Sequence, residues 1–263
     1  MTTQTVRVAR RPRAFVRVRG AEAAEYLQRM VSNDVVALLV GGSCEALLLT
    51  AKGRVIAPLR VWRRGEDDFV LLTEAELGER VRAELVRSRF ATKAEIEPEE
   101  HEAAIVFGAD LAGIPNDDYG EAAVEVLDEK PRGEPVSEEE LELLRIRART
   151  PRFGREIDDR VLPAEAGLVE RAVSFTKGCY PGQEPIARLH HRGHANRALR
   201  LLEVEGDELP AYDAEVRLGD RAVGRVTSAA RERDGRLLAL AYVRVEVPDD
   251  AELSVGPFRA RLH

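Results

Sequence analysis

The stretch that most constrains this chain runs from 174 to 184 and reads Ser-Phe-Thr-Lys-Gly-Cys-Tyr-Pro-Gly-Gln-Glu. Within Tyr180-Pro181-Gly182-Gln183, proline presets φ at the second turn position and glycine supplies positive φ at the third, which predicts a type II turn. Around that turn stand a thiol (Cys179), a cation (Lys177), an amide (Gln183) and a carboxylate (Glu184), and Gly178 removes a side chain beside the thiol. Two readings of Cys179 stay open. In one it is an exposed thiol on a tight loop, with the Lys177 ammonium two residues away favouring the thiolate. In the other it is a buried, inert cysteine, because free cysteine is among the most buried residue types.

The rest of the chain limits what this stretch can belong to. A length of 263 residues predicts roughly two domains. A net charge of −7 gives no general attraction to nucleic acid, where non-specific binding rests on neutralising phosphates. No apolar run reaches the roughly 18 residues of a membrane span. The first twenty residues carry six arginines and no acid. An organelle transit peptide is one reading; the alternation in Val6-Arg7-Val8 and Phe15-Val16-Arg17-Val18-Arg19 points instead to exposed strand edges. Two cysteines, Cys44 and Cys179, make no disulfide framework and point to a reducing cytoplasm.

Taken in order, the pattern predicts strands within 5–19, a helix over 20–30 and a polar break at Ser32-Asn33-Asp34. A hairpin follows over 43–50 and 53–62, then a strand over 68–72. Thr73, with acids in the next turn, predicts an N-cap for a helix reaching about residue 89. Further strands fall at 91–97, 103–107 and 123–127, with a Gly/Pro/Asn/Asp loop between the last two. This middle part has the order of a ferredoxin-like unit. After a linker at 128–133, Ser137 caps a helix to about 148. From 197 onward, short strands separated by Gly-Asp and Asp-Gly turns predict a small antiparallel barrel.

Lys177-Gly178-Cys179-Tyr180-x-Gly182-Gln183-Glu184 resembles the signature of the YgfZ-type folate-binding proteins, relatives of the glycine-cleavage T-protein (an aminomethyltransferase). Residues 146–168 and the Asn33-Asp34 element at 27–35 resemble two further blocks of that family. The resemblance implies an α+β, T-protein-like architecture in three parts around a central folate cleft. These are a folate-binding domain (1–45 plus 133–194), a ferredoxin-like insert (46–132) and a C-terminal antiparallel β-barrel (195–263). It implies a tetrahydrofolate or one-carbon derivative as ligand. It also implies a role in iron–sulfur protein maturation or repair, with iron–sulfur client proteins as partners and indirect effects on tRNA-thiolating enzymes.

Carried over residue by residue, the resemblance makes Glu165 the pterin-binding carboxylate, since a carboxylate accepts an exocyclic amino group and a ring N–H together. Asn33, Tyr180, Gln183, Glu184 and Arg188 join it as ligand contacts. Arg188, Arg192 and Arg197 are candidates for the folate carboxylates. Phe153, Phe175 and Tyr180 are the aromatic faces available to a pterin, and each is equally a core residue. Cys179 and Lys177 are the candidate catalytic pair. Where the transferases carry an acidic pair, this chain has Ala57 and Pro58, which cannot exchange a proton. His190, His191 and His194 form a nominal cluster with Cys179, but Gly193 interrupts the helix spacing and no metal site is expected. Two rival readings remain: an active folate-dependent aminomethyl transferase, and a tRNA-binding module.

Overall fold

The computed structural model describes residues 5–108 and 112–263. The loop expected between strands 103–107 and 123–127 falls partly on 109–111, outside the described residues. The first half holds β1 (Arg7–Arg10), β2 (Arg13–Arg19), α1 (Ala23–Met30), β3 (Ser43–Leu49), β4 (Val55–Gly65) and β5 (Asp68–Glu74). A 3₁₀ turn (Ala75–Leu77) then leads into α2 (Gly78–Ser88), followed by β6 (Glu95–Glu99), β7 (Ala103–Phe107), β8 (Ile114–Asn116) and β9 (Ala123–Leu127). The second half holds β10 (Glu134–Pro135), α3 (Glu138–Arg147), α4 (Val169–Ala172) and α5 (Gln183–Arg192). It ends with β11 (Arg197–Val204), β12 (Glu215–Leu218), β13 (Arg221–Arg231), β14 (Leu237–Arg244), β15 (Leu253–Val255) and β16 (Phe258–Leu262).

These strands make two five-stranded sheets, ordered β10-β1-β7-β9-β8 and β3-β4-β5-β2-β6, and a closed antiparallel barrel, β11-β14-β13-β12-β15-β16. A boundary between residues 45 and 46 falls inside β3, and β2 pairs with both β5 and β6. A division drawn there therefore cuts one sheet. α1 places Ala23, Tyr26, Leu27 and Met30 on one buried face, as its periodicity requires. Ser137 caps α3 as expected, its Oγ accepting from the Glu140 N–H at 3.2 Å.

Thr73 is not a helix cap. It continues β5, pairs with Ala14 of β2, and donates its hydroxyl to the Pro58 carbonyl at 2.8 Å. The cross-strand ladder outweighs the local capping pattern, and the helix starts at Gly78 with no side-chain cap. Pro58 is tolerated inside β4 because the β4–β5 register begins only at Arg60; its missing N–H interrupts no ladder on that side. α5 was not expected from the sequence as a helix. It starts directly after Gly182, which takes the left-handed conformation at φ 81°.

The barrel is held to the rest of the chain by polar contacts that cross a shared core. Arg145 of α3, buried, donates to Glu156 Oε2 at 3.0 Å and to Ser228 Oγ at 2.8 Å. Ser228 in turn donates to Glu156 Oε1 at 2.6 Å, and Tyr242 donates to the Glu156 carbonyl at 2.7 Å. Around them Leu47, Leu49, Val55, Ile146, Ile157, Tyr180, Ile186, Leu199 and Tyr242 form one apolar cluster. That cluster joins the β3–β4 hairpin, the 174–184 stretch and the barrel wall.

Candidate functional site

The turn over 180–183 forms as its residues dictate: Gln183 N–H donates to the Tyr180 carbonyl at 3.3 Å, with Gly182 at positive φ. Its position is set by a second glycine. A Cβ on Gly182 would lie 2.5 Å from the Thr50 carbonyl oxygen and 2.9 Å from Gly53 Cα. A Cβ on Gly53, itself at φ 72°, would lie 2.9 Å from Pro185 Cγ. The hairpin turn 50–53 and the start of α5 thus interlock through two glycines that allow backbone-to-backbone approach.

Lys177 braces the loop from the other side. It is buried, and its ammonium donates to the carbonyls of Gln28 (2.6 Å), Val31 (2.6 Å) and Asn33 (2.9 Å). Those are the carbonyls at the end of α1, where cations are favoured. Burial pushes the Lys177 ammonium down to about 8, with the charges of Asp34 and Cys44 opposing. The ammonium lies 5.2 Å above the Tyr180 ring. Its three donors are therefore committed to the α1 end. Between these two braces Cys179 is exposed, and Gly178 before it has open space where a side chain would be. Cys44, the other thiol, is half-buried, and burial pushes it up to about 12.

Asn33 donates its side-chain amide to the Glu45 carbonyl at 2.7 Å, and its Oδ1 accepts from Asp34 N–H at 2.9 Å. Ser32, fully buried, donates to the Ala172 carbonyl and accepts from Leu47 N–H at 2.8 Å. The 32–34 segment is thus the joint between α1, β3 and α4. Glu165 accepts from Leu162 N–H at 2.9 Å and from Arg197 Nε at 3.0 Å, with Arg197 Nη2 at 3.5 Å. Arg197, expected as a candidate for ligand carboxylates, is thus paired with Glu165 and lies 4.7 Å over the Tyr242 ring. Tyr180 is buried, and burial pushes its hydroxyl up to about 12. Gln183 is half-buried, while Glu184 and Arg188 are exposed on α5. The Arg192 side chain lies outside what is described. Phe175 stacks on His190 at 4.1 Å, and His191 meets both rings edge-on. Among the described residues, no group of three or more His, Cys, Asp and Glu side chains could hold a metal ion.

A polar cluster that sequence reasoning missed lies at the junction of β2–β5, the 118–119 loop and the 145–152 and 168–172 segments. It surrounds a cavity of about 60 Å3. Arg171 donates to Glu45 at 2.6 Å and Asp118 at 3.1 Å, and Arg60 donates to Glu45 at 3.1 Å. Arg13 forms a two-fold pair with Glu125 at 2.8 and 3.0 Å. Burial alone would raise the Asp118 carboxyl; Arg13, Arg60, Arg11 and Arg171 outweigh it and hold the group below its ordinary range. These partners are up to 126 residues apart, and no local spacing announces them. Pro58 lines this cavity, whereas Ala57, on the alternate face of β4, is buried in the apolar cluster with Tyr26, Leu27 and Phe69.

The fold has a solved counterpart. The aminomethyltransferase T of the glycine cleavage system from Bartonella henselae superposes with a TM-score of 0.85, covering 98% of this chain and 85% of that one at 20% sequence identity. In sequence, the tRNA-modifying protein YgfZ of Shigella dysenteriae serotype 1 is 27% identical, covering 95% of this chain and 89% of that protein. The chain resembles the YgfZ proteins. The YgfZ of Yersinia pestis strain Pestoides F is 28% identical over 92% of this chain and 85% of its own. An uncharacterised Haemophilus influenzae protein is 28% identical over 82% and 81%. No family model matches the chain. The YgfZ resemblance and the T-protein-like fold agree with the architecture expected from the signature at 177–184. Among the described residues, no helix is long and apolar enough to cross a membrane.

Proposed function

We propose that this chain is a tetrahydrofolate-binding accessory protein that acts in the maturation or repair of iron–sulfur proteins, with effects on tRNA-modifying enzymes, and that Cys179 is its working thiol. The observation that carries this reading is the exposed Cys179 on a loop locked on both sides, by the Gly53–Gly182 contact and by Lys177. A thiol held at the surface by a rigid frame is available to a partner. A structural thiol has no need of that frame.

Glu165 supports the folate part. Arg197 offers it two neighbouring N–H donors, and a pterin edge offers an amino group and a ring N–H in the same arrangement. The Glu165 carboxylate is therefore already oriented for such an edge. Arg197, with 43% of its side chain exposed, is placed to swing away. The central cavity, at about 60 Å3, is well below the roughly 300 Å3 at which small-molecule pockets begin. The pterin is accordingly assigned to the Glu165 side, with Asn33, Tyr180 and Gln183 as framework and Glu184 and Arg188 at the rim.

The aminomethyl-transferase reading is disfavoured by Ala57 and Pro58, which present no ionisable group to the cavity. The tRNA-modifying names of the relatives support a role near tRNA, and we infer that the effect is indirect, through client enzymes. Replacing Cys179→Ser tests the proposal. It should leave folding and folate binding intact and abolish rescue of a strain lacking its own relative of this chain. Full rescue by the serine variant would remove Cys179 from the mechanism.

A further inference from the structure

The segment joining α1 to β3 ends in a tight turn over Leu39-Val40-Gly41-Gly42, where the Gly42 N–H donates to the Leu39 carbonyl at 2.9 Å. Gly41, at φ 86°, supplies the positive φ of a type II turn. Turn tips ordinarily carry Gly, Pro, Asn, Asp or Ser. This one carries Leu39 at 81% exposure and Val40 at 58%, with Val36 and Ala37 exposed beside them. The loop is held in place. Gln28 Oε1 accepts from the N–H groups of Val35 and Val36 at 2.9 and 3.3 Å, and Asp34 Oδ1 accepts from Ala37 N–H at 3.2 Å. Arg63 Nη1 donates to the Leu38 carbonyl at 2.7 Å, and Gly41 N–H donates to the Arg63 carbonyl at 2.7 Å. A tip fixed in this way loses little freedom on docking.

We propose that the 36–40 loop is the docking point for a partner protein whose surface offers an apolar pocket rimmed by Lys and Arg. Contiguous exposed apolar residues mark such surfaces, and the charges around this one select the occupant. Arg63 Nη2 donates to the Glu66 carbonyl at 2.8 Å, which sets the exposed Glu66 and Asp67 of the β4–β5 turn beside the loop. Arg63 itself is half-buried over the Phe69 ring. Arg29, at the end of α1, has its charge near the Tyr26 hydroxyl, which faces α2. The rim of the loop is therefore acidic. It repels an anionic lipid surface. In a two-fold pairing of this chain with itself, the same acids would meet one another. A basic rim on a different protein is its complement.

The position of the loop gives the docking a purpose, and here the inference rests on the reading of Cys179 as a working thiol. The Lys177 ammonium donates to the Asn33 carbonyl at 2.9 Å and so ties the two loops together. Val36 lies three residues from one end of that bond and Cys179 two from the other. At about 3.5 Å per residue both fall within one interface of ordinary size, about 800 Å2 per partner. A protein seated on the 36–40 loop is thus brought to the thiol.

Photo-crosslinking of the full chain tests the surface. Benzoylphenylalanine is incorporated at Leu39 and the cells, which lack any other relative of this chain, are irradiated. An adduct with a different protein is expected, reduced at least ten-fold by Glu66→Lys with Asp67→Lys. The same charge change on the barrel, Asp207→Lys with Glu208→Lys, should leave it unchanged. Without the crosslinker, Leu39→Ser with Val40→Ser should lower rescue of the deficient strain at least ten-fold at an unchanged Tm, since both side chains are exposed. An adduct only with a second copy or with lipid, no adduct, or equal adducts in the two lysine variants overturns the inference. Full rescue by the Leu39→Ser, Val40→Ser protein, where Cys179→Ser abolishes rescue, removes the surface and leaves the thiol standing. A Glu66- and Asp67-dependent adduct together with full rescue by Cys179→Ser does the reverse.

Discussion

Adding one methyl group at Gly182 tests the frame around Cys179. In Gly182→Ala the new Cβ would sit 2.5 Å from the Thr50 carbonyl oxygen and 2.9 Å from Gly53 Cα, both backbone atoms. An L-residue at φ 81° pays roughly 1–2 kcal/mol for the left-handed conformation. Forcing atoms into a closed contact adds about 1–3 kcal/mol. Reduced freedom of the unfolded chain returns about 0.4–1 kcal/mol. The net is a loss of about 1–5 kcal/mol, whose midpoint corresponds for a chain of this size to a Tm roughly 10 °C lower. Gly178→Ala is the matched control, because its Cβ meets nothing within 4 Å; it should stay within about 0.5 kcal/mol of wild type. Urea and thermal unfolding followed by circular dichroism measure both. A Gly182→Ala protein as stable as the Gly178→Ala control would refute the interlock.

Lys177→Met removes three charged hydrogen bonds and leaves the Gln28, Val31 and Asn33 carbonyls without their donor; a loss of about 3 kcal/mol in urea unfolding is expected. An unchanged midpoint would deny Lys177 its bracing role. His101 lies between Asp128 (2.6 Å) and Glu99 (3.0 Å). Burial alone would lower its proton affinity, but those two carboxylates outweigh burial and raise it. The stability it contributes is therefore complete below its unfolded value of about 6.5 and fades as pH rises through the higher folded value. The Tm difference between wild type and His101→Gln should accordingly be large at pH 5.5 and small at pH 9; a constant difference contradicts the assignment.

The parts of this molecule that were legible in sequence are those governed by near neighbours. The Pro181-Gly182 turn, the buried face of α1, the Ser137 cap and the short strands of the barrel each follow from residues within a few positions of one another. Thr73 shows the limit: its local pattern reads as a cap, yet pairing with Ala14 of β2 keeps it in a strand. Lys177 shows another. Its distance in sequence to Cys179 suggested a role toward the thiol, whereas its ammonium donates to carbonyls 144 to 149 residues away. The cluster of Glu45, Arg60, Asp118 and Arg171 was invisible for the same reason. In a chain so rich in arginine, no single one stands out until the sheets bring it to a carboxylate.

The most direct measurement is a calorimetric titration of tetrahydrofolate into the full-length chain, under reducing conditions, beside the Glu165→Ala variant. Saturable binding at one site is expected, with a loss of about 1.5–3 kcal/mol in the variant, the scale of hydrogen bonds to a charged group. Absence of saturable binding, or equal affinity in wild type and Glu165→Ala, would contradict a folate site at Glu165.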